Sequence, residues 1–237
     1  MLSKRIGTVP LERALSKLGI TSRTKARKLI EAGEVKINGN VITNPLAHFT
    51  PEKIKIEISG KNISRSKYRY FVLNKPKNLV TTSSDEKGRA TVFSLFKEDI
   101  NHLIAVGRLD MATTGLLIIT NNTKLSNWLT DPINHIPRIY IVTVRGEFCE
   151  SDLEKIESGI ADNDEMLNAD KVDIIKTSGK ESILQIQLSE GKNREIRRIF
   201  LSLGHEVTKL KRISYGGLKL ESINPGTVSY THLWGMK

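Results

Sequence analysis

Residues 105–115, AVGRLDMATTG, carry a single carboxylate between two apolar runs, residues 103–106 and residues 116–119. Asp110 follows a Gly-Arg-Leu triplet and stands five positions before the last glycine of the stretch. Short apolar runs bounded by glycines are typical of buried strands. The sequence therefore predicts that Asp110 lies at the bend between two buried strands.

Two interpretations of Asp110 follow from its position. An aspartate in a bend often hydrogen-bonds the backbone nearby, which is a purely structural role. In a chemical role, burial beside apolar walls would raise the pKa of the carboxyl group, and a nearby cation would lower it again. Spacing alone does not choose between the two.

Short strands and a few helices are predicted on both sides of this stretch, from residue 68 to residue 237. The segments YRYFVLNKP, IYIVTVRG, SILQIQLSEG and EVTKLKRI read as strands, whereas KLSNWLT and NREIRRIFLSLG read as helices. Strands outnumber helices, and no regular alternation of strand and long helix is present. The fold class predicted is therefore α+β, with a mixed, mainly antiparallel sheet and flanking helices. No phosphate-loop or dinucleotide glycine pattern occurs.

The segment PRIYIVTV, residues 137–144, places one aromatic ring within an alternating strand. Tyr140 points to the opposite face from Ile139 and Ile141, because successive side chains of a strand alternate. A core or surface tyrosine is one interpretation. The other is a flat ring and a phenol offered to a nucleobase.

The segment EGKNREIRRIF, residues 190–200, combines a helical apolar stripe with clustered arginines. The stripe consists of Ile196, Ile199, Phe200 and Leu203, and the arginines are Arg194, Arg197 and Arg198. Guanidinium groups near one helix start bind phosphates, or pair with a carboxylate through two hydrogen bonds. A solvated basic face is the alternative interpretation.

The sequence pattern of residues 1–60 predicts a separate small module of two helices, a hairpin and a strand. The first helix ends at Gly19, and Thr21 or Ser22 is expected to cap the second. Its outward basic residues are Arg23, Lys25, Arg27 and Lys28. Asn38-Gly39 supplies the two positive φ angles of a type I′ turn. Residues 61–67 are predicted to be a linker without regular structure, and residues 68–237 the second domain.

Charge is unevenly distributed along a strongly basic chain of net charge +11. Residues 1–60 contain 11 basic and 5 acidic side chains, and residues 191–219 contain 8 basic and 2 acidic ones. Residues 147–173 reverse the balance, with 10 acidic against 2 basic side chains. Such segregation favours a polyanionic partner, most often nucleic acid. A basic surface kept for solubility is the alternative.

Other classes of protein are disfavoured by the composition. The single cysteine, Cys149, excludes a disulfide within the chain, and no His/Cys cluster has the spacing of zinc ligands. The longest apolar runs are far too short to span a bilayer. We therefore expect a cytoplasmic protein that contains no metal and does not bind a membrane.

The N-terminal module resembles the S4 RNA-binding domain, first named from a ribosomal protein. The residues that carry the resemblance are RALSKLGITSRTKARKLIEAGEVKINGNVI, residues 13–42. Such domains lay a basic helix and hairpin on structured RNA, by phosphate and shape recognition. A helix-turn-helix module that binds DNA is the alternative, and the hairpin directly after the basic helix favours RNA.

The rest of the chain resembles the pseudouridine synthases that modify ribosomal RNA, in the branch with an N-terminal S4 domain. The matching motifs are NKPKNLVTT, GRATVF, AVGRLDMATTGLLIITNN, LTDP, RIYIVTVRG, LSEGKNREIRRIFLSLGHEV and LKRISYGGLKL. The resemblance implies the fold of this family. It also implies isomerisation of a uridine in RNA to pseudouridine without cofactor or metal.

The resemblance implies three catalytic residues. Asp110 matches the aspartate that acts as nucleophile or base at the ribose, and the sequence leaves both roles open. Tyr140 matches the tyrosine that stacks on the uracil and takes part in moving the proton. Arg197 matches the basic partner that keeps the aspartate ionised and oriented. Arg138 stands where many members have lysine, a mild departure.

The expected partner is ribosomal RNA or an assembling ribosomal subunit, bound by a monomer. Besides the four basic residues of the second helix, the candidate RNA-binding residues are Arg108, Lys192, Arg194, Arg198, Lys209, Lys211 and Arg212. Large-subunit RNA is weakly favoured as the target. A non-catalytic RNA-binding assembly factor on the same scaffold and a DNA-binding regulator are the competing hypotheses.

Overall fold

The computed structural model describes residues 7–63, 67–97, 100 and 102–229. The chain divides into two compact units. The first comprises residues 1–70, 98–104 and 120–125, and the second comprises residues 71–97, 105–119 and 126–237.

Within residues 7–63, the N-terminal part of the first unit contains two helices and six short strands. In chain order these are β1 Val9–Pro10, α1 Leu11–Lys17, α2 Arg23–Glu31, β2 Val35–Ile37, β3 Asn40–Val41, β4 His48–Phe49, β5 Ile56–Ile58 and β6 Lys61–Ile63. Ser22 caps α2, its side chain accepting a hydrogen bond from the backbone N–H of Lys25 at 3.3 Å. Asn38 and Gly39 have φ angles of 51° and 88°, as the predicted turn requires.

One boundary in this region differs from the sequence prediction. Residues 61–67 were expected to lack regular structure, but Lys61–Ile63 form β6, which pairs antiparallel with β5. The strand lies at the edge of a sheet of order β3-β2-β5-β6, and Lys61 and Asn62 are exposed, so these side chains need not be apolar. That is why its polar composition concealed it. Residues 64–66 lie outside the described part of the chain.

The remaining elements form the larger sheet and its flanking helices. In chain order these are β7 Tyr70–Lys75, β8 Ile104–Ala105, β9 Thr114–Thr120, α3 Thr123–Thr130, β10 Arg138–Arg145, α4 Leu153–Ser158, β11 Ile160–Asp162, β12 Glu165–Leu167, β13 Lys171–Lys176, β14 Glu181–Leu188, α5 Glu195–Ser202, β15 Val207–Tyr215, β16 Leu218–Lys219 and β17 Val228–Ser229. Short 3₁₀ turns occur at Pro51–Lys53, Val92–Leu95, Pro132–Asn134 and Glu150–Asp152.

The strand order of the larger sheet is β13-β14-β10-β15-β9-β7-β17, with β16 on β15 and β8 on β9. Pairs β13–β14, β10–β14, β10–β15, β15–β16 and β7–β17 are antiparallel, whereas β9–β15 is parallel. The predicted α+β class with a mixed, mainly antiparallel sheet is confirmed. The hairpin of β11 and β12 forms a separate small sheet.

The parallel pair β9–β15 depends on one glycine. Gly115 lies opposite Arg212, and a Cβ atom on Gly115 would stand 2.1 Å from the carbonyl oxygen of Arg212. Its φ of +102° is also a conformation that side chains disfavour. A glycine is therefore needed for the two strands to approach. This contact brings β15 beside the strand that follows Asp110.

A tightly packed apolar cluster supports this part of the sheet. Its buried members are Val72, Val106, Leu116, Ile118, Tyr215, Leu220 and Ile223. None of the helices formed by the described residues is long and apolar enough to cross a membrane.

Candidate active site

Asp110 lies in the turn between β8 and β9, which a buried lysine supports from beneath. The Thr113 N–H donates to the Asp110 carbonyl at 3.0 Å. Lys75, at the end of β7, is fully buried. Its ammonium group donates to the carbonyl oxygens of Asp110 at 3.1 Å, Thr113 at 2.9 Å and Pro76 at 3.1 Å. The backbone of the turn is therefore fixed by one cation.

Burial lowers the pKa of Lys75 to about 8, and the nearby Asp110 carboxylate partly opposes this shift. Desolvation disfavours an ammonium group that has no carboxylate in direct contact. The hydrogen bonds from Lys75 are made to backbone carbonyls, so the Asp110 side chain stays available to other partners.

Two guanidinium groups flank the Asp110 carboxylate. Arg194 Nη1 lies 3.6 Å from Oδ2, and Arg197 Nε lies 3.9 Å from the same atom. The structure thus brings the predicted pair, Asp110 and Arg197, together from positions far apart in the sequence. Burial is the main cause that lowers the pKa of Arg197, and the positive charge of Arg194 lowers it further. The Asp110 carboxylate opposes this shift.

The two arginines are restrained differently. Arg197 projects from the first turns of α5, is 14% exposed, and donates from Nη1 to the Val207 carbonyl at 3.0 Å. Arg194 is 55% exposed and precedes the helix in a left-handed conformation, with φ 49° and ψ 29°.

Asp110, Tyr140 and Arg197 all line one cavity of about 430 Å³. Tyr140 on β10 is 9% exposed, and it faces the opposite side of the strand from the partly buried Ile139 and Ile141, as the alternation predicts. The charged side chains in the cavity wall are Arg108, Asp110, Arg138, Glu190, Lys192, Arg194, Glu195, Arg197 and Arg212. Six of these nine are basic, so the cavity favours an anionic ligand.

Four buried polar atoms on the side chains that line this cavity lack a hydrogen-bond partner. They are Thr113 Oγ1, Glu195 Oε1, Arg197 Nε and Arg212 Nη2. Buried polar groups are normally hydrogen-bonded, so unused capacity concentrated at one cavity is typical of a ligand site. No group of three His, Cys, Asp or Glu side chains within the described ranges is arranged to hold a metal ion.

Comparison with known proteins identifies the family of the chain. The family described as RNA pseudouridylate synthase matches residues 69–202, and the S4 domain matches residues 9–46. The chain belongs to the RNA pseudouridylate synthase family. An uncharacterized RNA pseudouridine synthase of Aquifex aeolicus is 36% identical over 219 residues, which cover 92% of this chain and 88% of the relative.

Two further proteins are similar to this chain over most of its length. Ribosomal large subunit pseudouridine synthase B of Bacillus subtilis is 36% identical over 91% of this chain and 89% of its own length. A crystal structure of a pseudouridylate synthase superposes with a TM-score of 0.66 at 26% identity, covering 93% of this chain and 95% of that one. The protein is therefore an isomerase that converts uridine in RNA to pseudouridine.

The basic residues that the sequence predicted to bind RNA are not all placed alike in the synthase. Arg108, Lys192, Arg194 and Arg212 line the cavity, whereas Lys209 and Lys211 are exposed on β15. Arg23, Lys25, Arg27 and Lys28 are exposed on α2, in the first unit, and Arg27 pairs with Glu12 at 2.8 Å.

Arg198 and Arg212 were also predicted to contact RNA, and both bind other groups of the synthase. Arg198 forms ion pairs with Asp162 and with Glu165, the latter at 2.6 Å, and so holds the β11–β12 hairpin to α5. Arg212 is 2% exposed, and its Nε donates to the Leu116 carbonyl at 2.7 Å. Neither guanidinium is presented on an open surface.

The sequence interpretation missed Tyr215 in the wall of the active site. The carbon atoms at the centres of the Arg138 and Arg212 guanidinium groups lie 4.9 and 4.8 Å from the centroid of its ring. Its hydroxyl donates to the Leu129 carbonyl at 2.9 Å. Arg138, which the sequence analysis noted only as a departure from lysine, thus stacks on the ring of Tyr215. A planar guanidinium suits this packing better than an ammonium group does. A sequence signal existed, since Tyr215 lies two residues after the predicted strand EVTKLKRI and within the motif LKRISYGGLKL.

Proposed function

We propose that this synthase isomerises a specific uridine of ribosomal RNA, and that large-subunit RNA is the target. The name of the Bacillus subtilis relative supports the choice of the large subunit. The observation that carries the proposal is the shared cavity in which Asp110 lies against Arg197, with Tyr140 in the same wall.

The isomerisation exchanges one bond of the ribose for another. The bond from C1′ to N1 breaks, the uracil turns within the cavity, and a bond forms from C1′ to C5. The proton on C5 is lost and N1 gains one, so the formula is unchanged. Asp110 acts at the ribose as nucleophile or as base, and either role needs an ionised carboxylate. The guanidinium of Arg197, with its Nε 3.9 Å from Oδ2, places an opposite charge beside that carboxylate.

The uridine must leave the RNA stack to reach Asp110. Flipping a nucleotide out costs a few kcal/mol, which stacking and phosphate contacts offset. In this proposal Tyr140 stacks on the flipped uracil, and the basic wall of the cavity binds the neighbouring phosphates.

We propose a division of labour along the chain. Residues 1–60 bind structured RNA through the exposed face of α2, residues 61–67 connect the domains, and residues 68–237 carry the chemistry. The partner is ribosomal RNA or an assembling subunit, the enzyme acts as a monomer, and its location is the cytoplasm. The S4 domain and the exposed lysines of α2 support the RNA-binding role.

Mapping pseudouridines in ribosomal RNA from cells that lack the protein tests the target. One site in large-subunit RNA should revert to uridine, and re-expression of the wild type should restore it. Tritium release from RNA labelled at C5 of uridine then shows directly that the purified protein is responsible. An unchanged map together with absent tritium release from both ribosomal RNAs would contradict the proposal.

A further inference from the structure

Arg194 departs from two local preferences of its position. It occupies the N-cap of α5 with no side-chain cap hydrogen bond, where Ser, Thr, Asp or Asn is favoured. Its φ of 49° lies in the left-handed region that residues other than glycine rarely adopt. Such departures persist at functional sites. The result here is a guanidinium 3.6 Å from Asp110 Oδ2.

The carboxylate of Asp110 has more cationic neighbours than an ion pair needs. One carboxylate group faces the guanidinium groups of both Arg194 and Arg197 within 4 Å. Each distance is longer than a good charge-assisted hydrogen bond, about 2.7–2.9 Å. One positive charge is therefore in excess beside a cavity whose charged lining is mostly basic.

Only one of the two arginines is held in place by a second partner. Arg197 is 14% exposed and bonded to the Val207 carbonyl, so its guanidinium stays beside Asp110. Arg194 is 55% exposed, and Asp110 provides the one polar contact of its side chain within the part of the chain that the structure describes. Arg194 can therefore change partner at little cost, whereas Arg197 cannot.

We propose that Arg194 binds a phosphate that flanks the flipped uridine, and that it leaves Asp110 to do so. In the RNA-free enzyme its guanidinium lies against the carboxylate, and in the complex Asp110 keeps Arg197 alone. The inference rests on the proposed function and adds to it a ligand for Arg194. Substrate binding thereby uncovers one side of the Asp110 carboxylate for the ribose.

A double-mutant cycle between protein and RNA tests this exchange. The probe is an RNA oligonucleotide containing the uridine that the wild type converts, either unmodified or with one uncharged methylphosphonate 5′ or 3′ of that uridine. For one of these linkages, Arg194→Ala and the methylphosphonate should each weaken binding by about ten- to hundredfold. Combined, they should weaken it no further than either change alone, because both remove the same contact.

Arg145→Ala is the matched control. Arg145 is 72% exposed, pairs with a single carboxylate, Glu206, and does not line the cavity. Its effect should add to that of either methylphosphonate. If the effect of Arg194→Ala also adds to that of both methylphosphonates, the proposal is overturned.

Two further measurements keep the outcomes separate. If Arg194→Ala leaves the dissociation constant unchanged but slows tritium release at saturating RNA, Arg194 is a permanent partner of Asp110 and the proposal fails. If Arg194→Ala does not fold, Arg194→Lys replaces it and should retain part of the coupling. Conversion of a uridine in small-subunit RNA instead would contradict the proposed target alone, because the cycle uses whichever uridine the wild type converts.

Discussion

Lys75 is the residue on which the position of Asp110 most directly depends. Its ammonium group joins carbonyl oxygens on both sides of the turn, although it is 35 residues from Asp110 in the sequence. A hydrogen-bonded cation under the backbone holds the carboxylate in place without neutralising it.

Lys75→Met should lower the free energy of unfolding at pH 7 by about 1–3 kcal/mol, because it leaves buried carbonyl groups without donors. The pKa of Lys75 is about 8 in the folded protein, below its ordinary value of 10.5. Between these two pH values the unfolded chain binds more protons, so the wild type should gain stability relative to the variant as pH rises from 8 to 10. Urea unfolding at pH 7, 8.5 and 9.5 measures this. A difference between the two proteins that does not change with pH would contradict the buried, charged state of Lys75.

At the residue level, the sequence revealed residues that stand in short motifs better than residues that act through long-range contacts. Asp110, Tyr140 and Arg197 stand in motifs that the family resemblance makes recognisable. Lys75 and Tyr215 act through partners far away in the sequence, and Arg138 contacts Tyr215 across 77 residues. No local pattern carries that information, because the contacts exist only once the strands have paired.

At the level of elements, the pairing of β9 with β15 connects the turn of Asp110 to the rest of the sheet. The glycine patterns predicted bends and strand ends, and Ser22 and Asn38-Gly39 are used as their types suggest. The order of the strands and the parallel direction of β9–β15 were not predictable, since periodicity describes one strand at a time. The edge strand β6 was missed because its exposed residues are polar.

Gly115→Ala should destabilise the synthase by more than about 4 kcal/mol or prevent folding, because its Cβ would overlap backbone atoms of Arg212. Gly146→Ala is the control. Gly146 also has a positive φ, 81°, but has open space around it, so a loss of about 1 kcal/mol is expected. Thermal unfolding compares the two variants, and equal losses would be inconsistent with the close approach of β9 and β15.

Arg198→Ala separates a structural role from the RNA contact predicted from the sequence. Because Arg198 binds Asp162 and Glu165, its loss should loosen the β11–β12 hairpin and lower the temperature of thermal unfolding. The slope of log affinity for RNA against log salt should stay unchanged. A slope reduced by about one unit would instead show that Arg198 contacts a phosphate.

At the level of the whole molecule, some basic residues are held in ion pairs with the acidic segment and others are exposed. The acidic segment 147–173 contains the β11–β12 hairpin, which occupies Arg198 internally. The lysines of α2 are exposed instead. The net charge alone predicted a polyanionic partner, but the structure is needed to decide which basic residues are free to meet it.

A double variant of α2, Lys25→Ala with Lys28→Ala, should weaken binding to structured RNA and reduce the salt slope by about two units. Its effect should be similar for different RNA sequences, because phosphate contacts carry no sequence information. Lys155→Ala, in the acidic segment and paired with Asp152 at 2.6 Å, is the control and should leave the slope unchanged. Filter binding over a range of salt concentrations measures both, and an unchanged slope for the double variant would argue against α2 as an RNA-binding surface.

The most direct test of the account is single-turnover tritium release by Asp110→Asn, with Asp131→Asn as the control. The carboxylate of Asp131 caps the Pro132–Asn134 turn. Both changes preserve shape and remove one negative charge. Asp110→Asn should release no tritium from C5-labelled RNA while binding that RNA within a few-fold of the wild type, and Asp131→Asn should react at nearly the normal rate. Wild-type release by Asp110→Asn would contradict the central claim that an ionised Asp110 acts on the flipped uridine.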